Sequence, residues 1–128
     1  MAQGVRLSVL LLATTLLAAA CGGGGGGGQG GATPPPAGGS TVNVTETEFK
    51  FDPKAMTAKA GPVTFQIKNS GAVEHNFIVE GTSIKVEGIQ PGQTKPATAT
   101  FAAGTYKVLC TIPGHQEAGM TGTLTVTQ

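Results

Sequence analysis

The sequence predicts an all-β fold, a Greek-key antiparallel β-sandwich of seven to eight strands occupying residues 41–128. Three observations carry that expectation. Apolar and polar residues alternate with period two through most of this stretch, the pattern of half-buried strands. Gly61-Pro62, Ser70-Gly71, Pro91-Gly92 and Ala103-Gly104 punctuate it at short intervals, as turns in a sandwich do. No segment repeats its apolar residues convincingly at helical spacing.

Each strand follows from its phase. Val42 and Val44 open the series, and Phe49 and Phe51 then carry the apolar positions in the opposite phase. The change between Glu46 and Phe49 implies a bulge or a strand that changes sheets. Val63, Phe65 and Ile67 form a strand bounded by turn residues on both sides. His75, Phe77 and Val79 share the next face, and Ile78 makes the opposite face partly apolar as well. Ile84 and Val86 form a short strand, Ala97, Ala99 and Phe101 a longer one. Tyr106, Val108 and Cys110 share a face, and Leu124 and Val126 close the chain. Met56 is expected to be ordinary core packing.

The region before this domain has a different composition. Residues 1–20, MAQGVRLSVLLLATTLLAAA, have one positive charge at Arg6 and then an apolar run ending in small residues. The run is shorter than the roughly 20 residues a membrane span needs. Its layout is that of an export signal. Residues 21–40 begin at Cys21 and continue as a Gly- and Pro-rich segment without charges. That composition cannot bury enough surface to offset its ordering entropy, so a disordered tether of about 25 Å is expected. Leu17-Ala18-Ala19-Ala20-Cys21 resembles a bacterial lipoprotein processing site, in which the Cys becomes the lipidated mature N-terminus. Ala18-Ala19-Ala20 also satisfies plain A-x-A cleavage. The tether favours an anchor at Cys21, hence an exported protein at the outer face of a bacterial membrane or in the periplasm.

Charge narrows the partners. Without Arg6 the chain carries seven lysines against seven acids. There is no basic footprint for nucleic acid and no acidic run for a basic partner. Of the two cysteines, Cys21 belongs to the processing site, which leaves Cys110 alone in an exported chain. A Cys21–Cys110 disulfide would tie a disordered tail to the core and is the weaker reading.

Residues 108–120, VLCTIPGHQEAGM, hold the chemistry. Cys110, His115 and Met120 are separated by four residues each, and Pro113, Gly114 and Gly119 exclude a helix. Taken singly, a buried Cys is a small hydrophobe, a core His is a hydrogen-bonded residue and a Met fills gaps. Taken together, both histidines of the chain, its second Cys and one Met fall into one set. Period two aims His75 and Cys110 at the core from opposite ends of their strands, and in a Greek-key sandwich those ends can meet. A thiolate, two imidazoles and a thioether are a poor site for Ca²⁺ or Mg²⁺. Zn²⁺ gains little from the thioether. Trigonal His₂Cys with a weak axial Met is a blue-copper arrangement, suited to electron transfer.

"VEHNFIVEG" followed by "YKVLCTIPGHQEAGMTGTLTVT" closely resembles the type 1 copper proteins, or cupredoxins, over about residues 41–127. The four-residue gaps on either side of His115 resemble those of auracyanins and rusticyanins, and a lipid-anchored form with a Gly-rich tether is most similar to an auracyanin. The resemblance implies a Greek-key sandwich with one Cu(I)/Cu(II) ion held by His75, Cys110, His115 and Met120. It implies that Asn76 pins the ligand loop and that Thr111 helps fix the thiolate. It implies electron exit through His115 within a surface that includes Pro113, Gly114 and Ala118. The expected function is a one-electron shuttle, not an enzyme: a monomer docking weakly and transiently with donor and acceptor redox proteins. A copper carrier or storage lipoprotein would use the same ligands. Oxidase and nitrite reductase domains need further histidines that this chain lacks, and a binuclear site needs a second Cys on the loop.

Overall fold

A computed structural model describes residues 38–128. The expected export signal, Cys21 and nearly all of the tether lie outside the described residues. The first strand begins at Ser40, one residue before the expected domain boundary.

Nine strands form two sheets, and no helix occurs among the described residues. They are β1 (Ser40–Thr47), β2 (Lys50–Asp52), β3 (Ala55–Lys59), β4 (Gly61–Asn69), β5 (His75–Val79), β6 (Lys85–Ile89), β7 (Thr94–Phe101), β8 (Gly104–Leu109) and β9 (Thr121–Thr127). One sheet has the order β2-β1-β4-β7 and the other β3-β9-β8-β5-β6.

Strand number and strand direction both depart from the sequence reading. Strand β3 was not expected, so the count is nine rather than seven or eight. It is a short edge strand whose buried side chains are Met56 and Ala58, a weak apolar signal. The sheets are also not wholly antiparallel. β1 runs parallel to β4, and β3 runs parallel to β9. Alternation sets which side chains turn inward, but it carries no information on the direction of the neighbouring strand.

The phase change after Glu46 is neither a bulge nor a change of sheets but a two-residue turn, Glu48-Phe49, between β1 and its antiparallel partner β2 in the same sheet. The chain then crosses to the second sheet as β3, past a cis Asp52-Pro53 peptide. Phe77 of the second sheet packs between Phe51 and Phe65 of the first, at centroid distances of 5.6 and 5.1 Å. Val42, Val44, Val63, Ile67, Val79, Val108, Leu124 and Val126 complete the buried interface. Burying one such aliphatic side chain contributes about 1.5–3 kcal/mol. This core is a rigid base for the loops at the end where β5 begins and β8 stops.

Candidate metal centre

β5 and β8 are antiparallel neighbours, with Ile78 opposite Leu109 and Val79 opposite Val108. The start of β5 therefore faces the end of β8, which brings His75 and Cys110 together. Both are completely buried. The backbone N–H of Asn76 donates to Cys110 Sγ at 3.5 Å. Beyond β8 the chain forms a sequence of turns in which His115 N–H bonds to Ile112 O, and Ala118 N–H to Gly114 O. Gly114 and Gly119 take φ of +85° and +107°, which glycine adopts without steric cost. The turns fold His115 back over the strand ends.

The three donors converge. One ligand atom each from His75, Cys110 and His115 lie within 4.8 Å of one another. His75 Nδ1 and His115 Nδ1 are 3.2 Å apart, and His115 Nδ1 is 3.5 Å from Cys110 Sγ. Met120 is completely buried at the far end of the loop. Its N–H donates to His115 O at 3.0 Å, and its carbonyl accepts from Cys110 N–H at 3.2 Å. The loop is thus closed on itself at both ends.

Asn76 and Thr111 bond to each other, and the N–H that reaches Cys110 Sγ is that of Asn76 rather than of Thr111. Asn76 Nδ2 donates to Thr111 Oγ1 at 2.8 Å, and Thr111 N–H donates to Asn76 Oδ1 at 2.7 Å. This reciprocal pair ties the β5 start to the first residue after Cys110. Asn76→Ala removes both bonds at a mostly buried position. We expect a loss of about 1–3 kcal/mol of stability, at roughly 1 kcal/mol per bond plus the cost of unpaired groups. Urea unfolding of the metal-free protein measures it, as a lower midpoint at unchanged slope.

Burial governs the electrostatics. It raises the Cys110 thiol pKa; N–H groups of Asn76 and Ile112 oppose the rise, while the Glu46 carboxylate adds to it. Burial likewise lowers the His75 pKa, His115 lowers it further, and Glu48 opposes. His75 Nε2 is buried without a hydrogen-bond partner among the described residues. Two facing imidazole nitrogens beside a thiol that resists ionisation form a cluster of donors lacking a common acceptor. A soft cation satisfies all of them, because it stabilises the thiolate and binds neutral imidazole. The donor set fits copper.

Pro113, Gly114 and Ala118 are exposed around a half-buried His115. Three further residues at this end were not expected at the site. Phe49, expected as an inward strand position with Phe51, instead lies in the turn, 39% exposed, and packs edge-to-face on His115 at a centroid distance of 5.0 Å. Glu48 accepts hydrogen bonds from the N–H groups of Ala72 and Val73, ahead of His75, and these hold its carboxyl below the ordinary value. Glu46 is completely buried, with neither carboxylate oxygen hydrogen-bonded among the described residues. Its signal was present, since strict alternation puts it in phase with Val42 and Val44.

The model of the cupredoxin-like domain matches residues 8–126. The copper-resistant cuproprotein CopI of Rubrivivax gelatinosus is 32% identical over an alignment of 108 residues that covers 67% of this chain. The chain spans 66% of that relative's length. The dithionite-reduced auracyanin of Roseiflexus castenholzii superposes with a TM-score of 0.63 at 24% identity, covering 70% of this chain and 98% of the auracyanin. Auracyanin A, a "blue" copper protein of Chloroflexus aurantiacus, superposes with a TM-score of 0.58 at 27% identity, covering 68% and 98% respectively.

Proposed function

This chain belongs to the cupredoxin-like domain family, and from that premise we propose that it is a mononuclear type 1 copper protein that shuttles single electrons. The observation that carries the proposal is the convergence of His75, at the start of β5, with Cys110 and His115 of the loop that Met120 closes. When bound, copper supplies a one-electron couple between Cu(II) and Cu(I).

The protein's own residues would serve that couple in four ways. Cys110, His75 and His115 would hold the copper, and Met120 would add a weaker thioether donor. The Asn76 N–H bond to Cys110 Sγ partly neutralises thiolate charge and so bears on the reduction potential. Loop closure and the Asn76–Thr111 pair hold the donors in place, so a change of metal charge requires little rearrangement. The buried site excludes water, while half-buried His115 offers a route to the surface.

Docking with donor and acceptor redox proteins is proposed at the surface formed by His115, Pro113, Gly114 and Ala118, by a monomer and with weak affinity. The near-neutral charge supports contacts that depend little on salt. The first 21 residues support export and anchoring at Cys21, on the outer face of a bacterial membrane or in the periplasm. No catalytic activity is proposed.

Copper carriage is the second reading, favoured by the name of the CopI relative. Repeated reduction and reoxidation of the copper-loaded chain beside a copper chelator separates the two. A shuttle retains its copper and its colour through the cycles; a carrier surrenders the metal as it is reduced. In His115→Gly the shuttle reading expects electron exchange slowed at least about tenfold, the scale on which even outer partners of a metal site act. Added imidazole should restore part of it. Stopped-flow exchange at the wild-type rate without imidazole would overturn the exit role of His115.

A further inference from the structure

The turn Glu48-Phe49 touches both His115 and the segment that leads into His75. Phe49 packs on the His115 ring with an interplanar angle of 76°. Glu48 lies across residues 71–73, the segment that leads into His75. Its carboxylate reaches the backbone there because Gly71 has no side chain; a Cβ at that position would sit 2.5 Å from Glu48 Oε1. Asn69 holds the same segment from the other side, accepting from Gly71 N–H and donating to Val73 O, each at 2.8 Å. The turn therefore stands on a braced platform.

Phe49 is also an unexpected residue for its backbone. Its φ is +82°, the left-handed region that bulky side chains rarely occupy and that Gly or Asn takes in such turns. A glycine would satisfy the turn and leave the outer face of His115 open. The phenylalanine instead places an aromatic ring against the more exposed of the two histidines, where it is itself still partly exposed.

We propose that Phe49, held by the Glu48-anchored turn, is a positioning residue for His115, which it keeps seated towards His75 and Cys110. The proposal rests on the reading of His115 as a copper ligand. The ring restricts rotation of the imidazole and covers part of its outer face. Phe49 thereby governs how readily His115 swings out, and with it how readily the site releases metal.

Phe49→Gly and Phe49→Tyr in the full chain test this. Glycine suits the turn and removes only the ring, while tyrosine keeps the ring. In the metal-free protein, NMR should find the His115 ring protons shifted in Phe49→Gly, through loss of the neighbouring ring current, and close to wild type in Phe49→Tyr. After copper loading, release to excess Cu(I) chelator should be about three- to tenfold faster in Phe49→Gly, as an edge-to-face aromatic pair implies, and near wild type in Phe49→Tyr. A blue wild-type protein whose Phe49→Gly variant releases copper at the wild-type rate overturns the role of Phe49. So do equal losses in Phe49→Gly and Phe49→Tyr. A wild-type chain that takes up copper without any blue band overturns the underlying copper reading instead, and the metal-free NMR shift still reports whether the ring seats His115.

Discussion

A Cys110→Ser protein should take on no blue colour with Cu(II), where the wild-type chain develops an intense charge-transfer band. The band requires a thiolate, and Cys110 is the one cysteine among the described residues. A serine hydroxyl is a hard, weakly acidic donor and does not replace the soft sulfur. Affinity should fall by more than about a hundredfold, beyond the 10- to 100-fold effect of losing an outer partner. The metal-free fold should survive, because the Asn76 N–H at this position can bond a serine oxygen. Visible spectra and chelator competition measure both effects. A blue Cys110→Ser protein would show that the sulfur is not a ligand.

Glu46→Gln should stabilise the metal-free protein at pH 8 and change little at pH 4.5. Glu46 is fully buried, with no partner for either oxygen among the described residues, and burial raises its pKa from 4.5 to about 7. The folded state therefore holds this proton where the unfolded chain has released it. Between pH 4.5 and about 7 the native state binds more protons than the unfolded state, so stability falls as pH rises. Above about 7 both states are ionised and the loss levels off. The shift corresponds to about 3 kcal/mol at 1.36 kcal/mol per pKa unit. Glutamine has nearly the same shape and cannot ionise, so this loss should vanish. Urea midpoints of wild-type and variant protein across pH 4–8 should diverge as pH rises. Parallel profiles would mean that Glu46 does not carry its proton into the neutral range. The same substitution removes a negative charge that raises the Cys110 thiol pKa, so that pKa should fall.

Much of the domain was legible in the chain because period two is a local property. His75, Phe77 and Val79 were expected on one face, and all are buried. Cys110 was expected to turn inward at a strand end, and it lies buried just past Leu109. The donor loop was legible because Cys110, His115 and Met120 sit on one short segment whose glycines and proline exclude a helix. Strand β3 was not, since Met56 and Ala58 alone give too short a pattern. Nor were the parallel ladders of β1 with β4 and β3 with β9, which depend on how the chain crosses between sheets.

The sequence by itself determined the donor types, the inward phase of His75 and Cys110, and the rigid turns between Cys110 and Met120. Only the tertiary structure decided that the β5 start meets the β8 end, and that the Glu48-Phe49 turn reaches both His115 and the segment that leads into His75. It also decided that the carboxyl of Glu46 is buried with no hydrogen-bond partner among the described residues. Local alternation aims a side chain at the core, but what it meets there is set by strands distant in sequence. Phe49 lies 66 residues from His115 and Glu46 lies 64 from Cys110; no pattern within one strand couples positions so far apart.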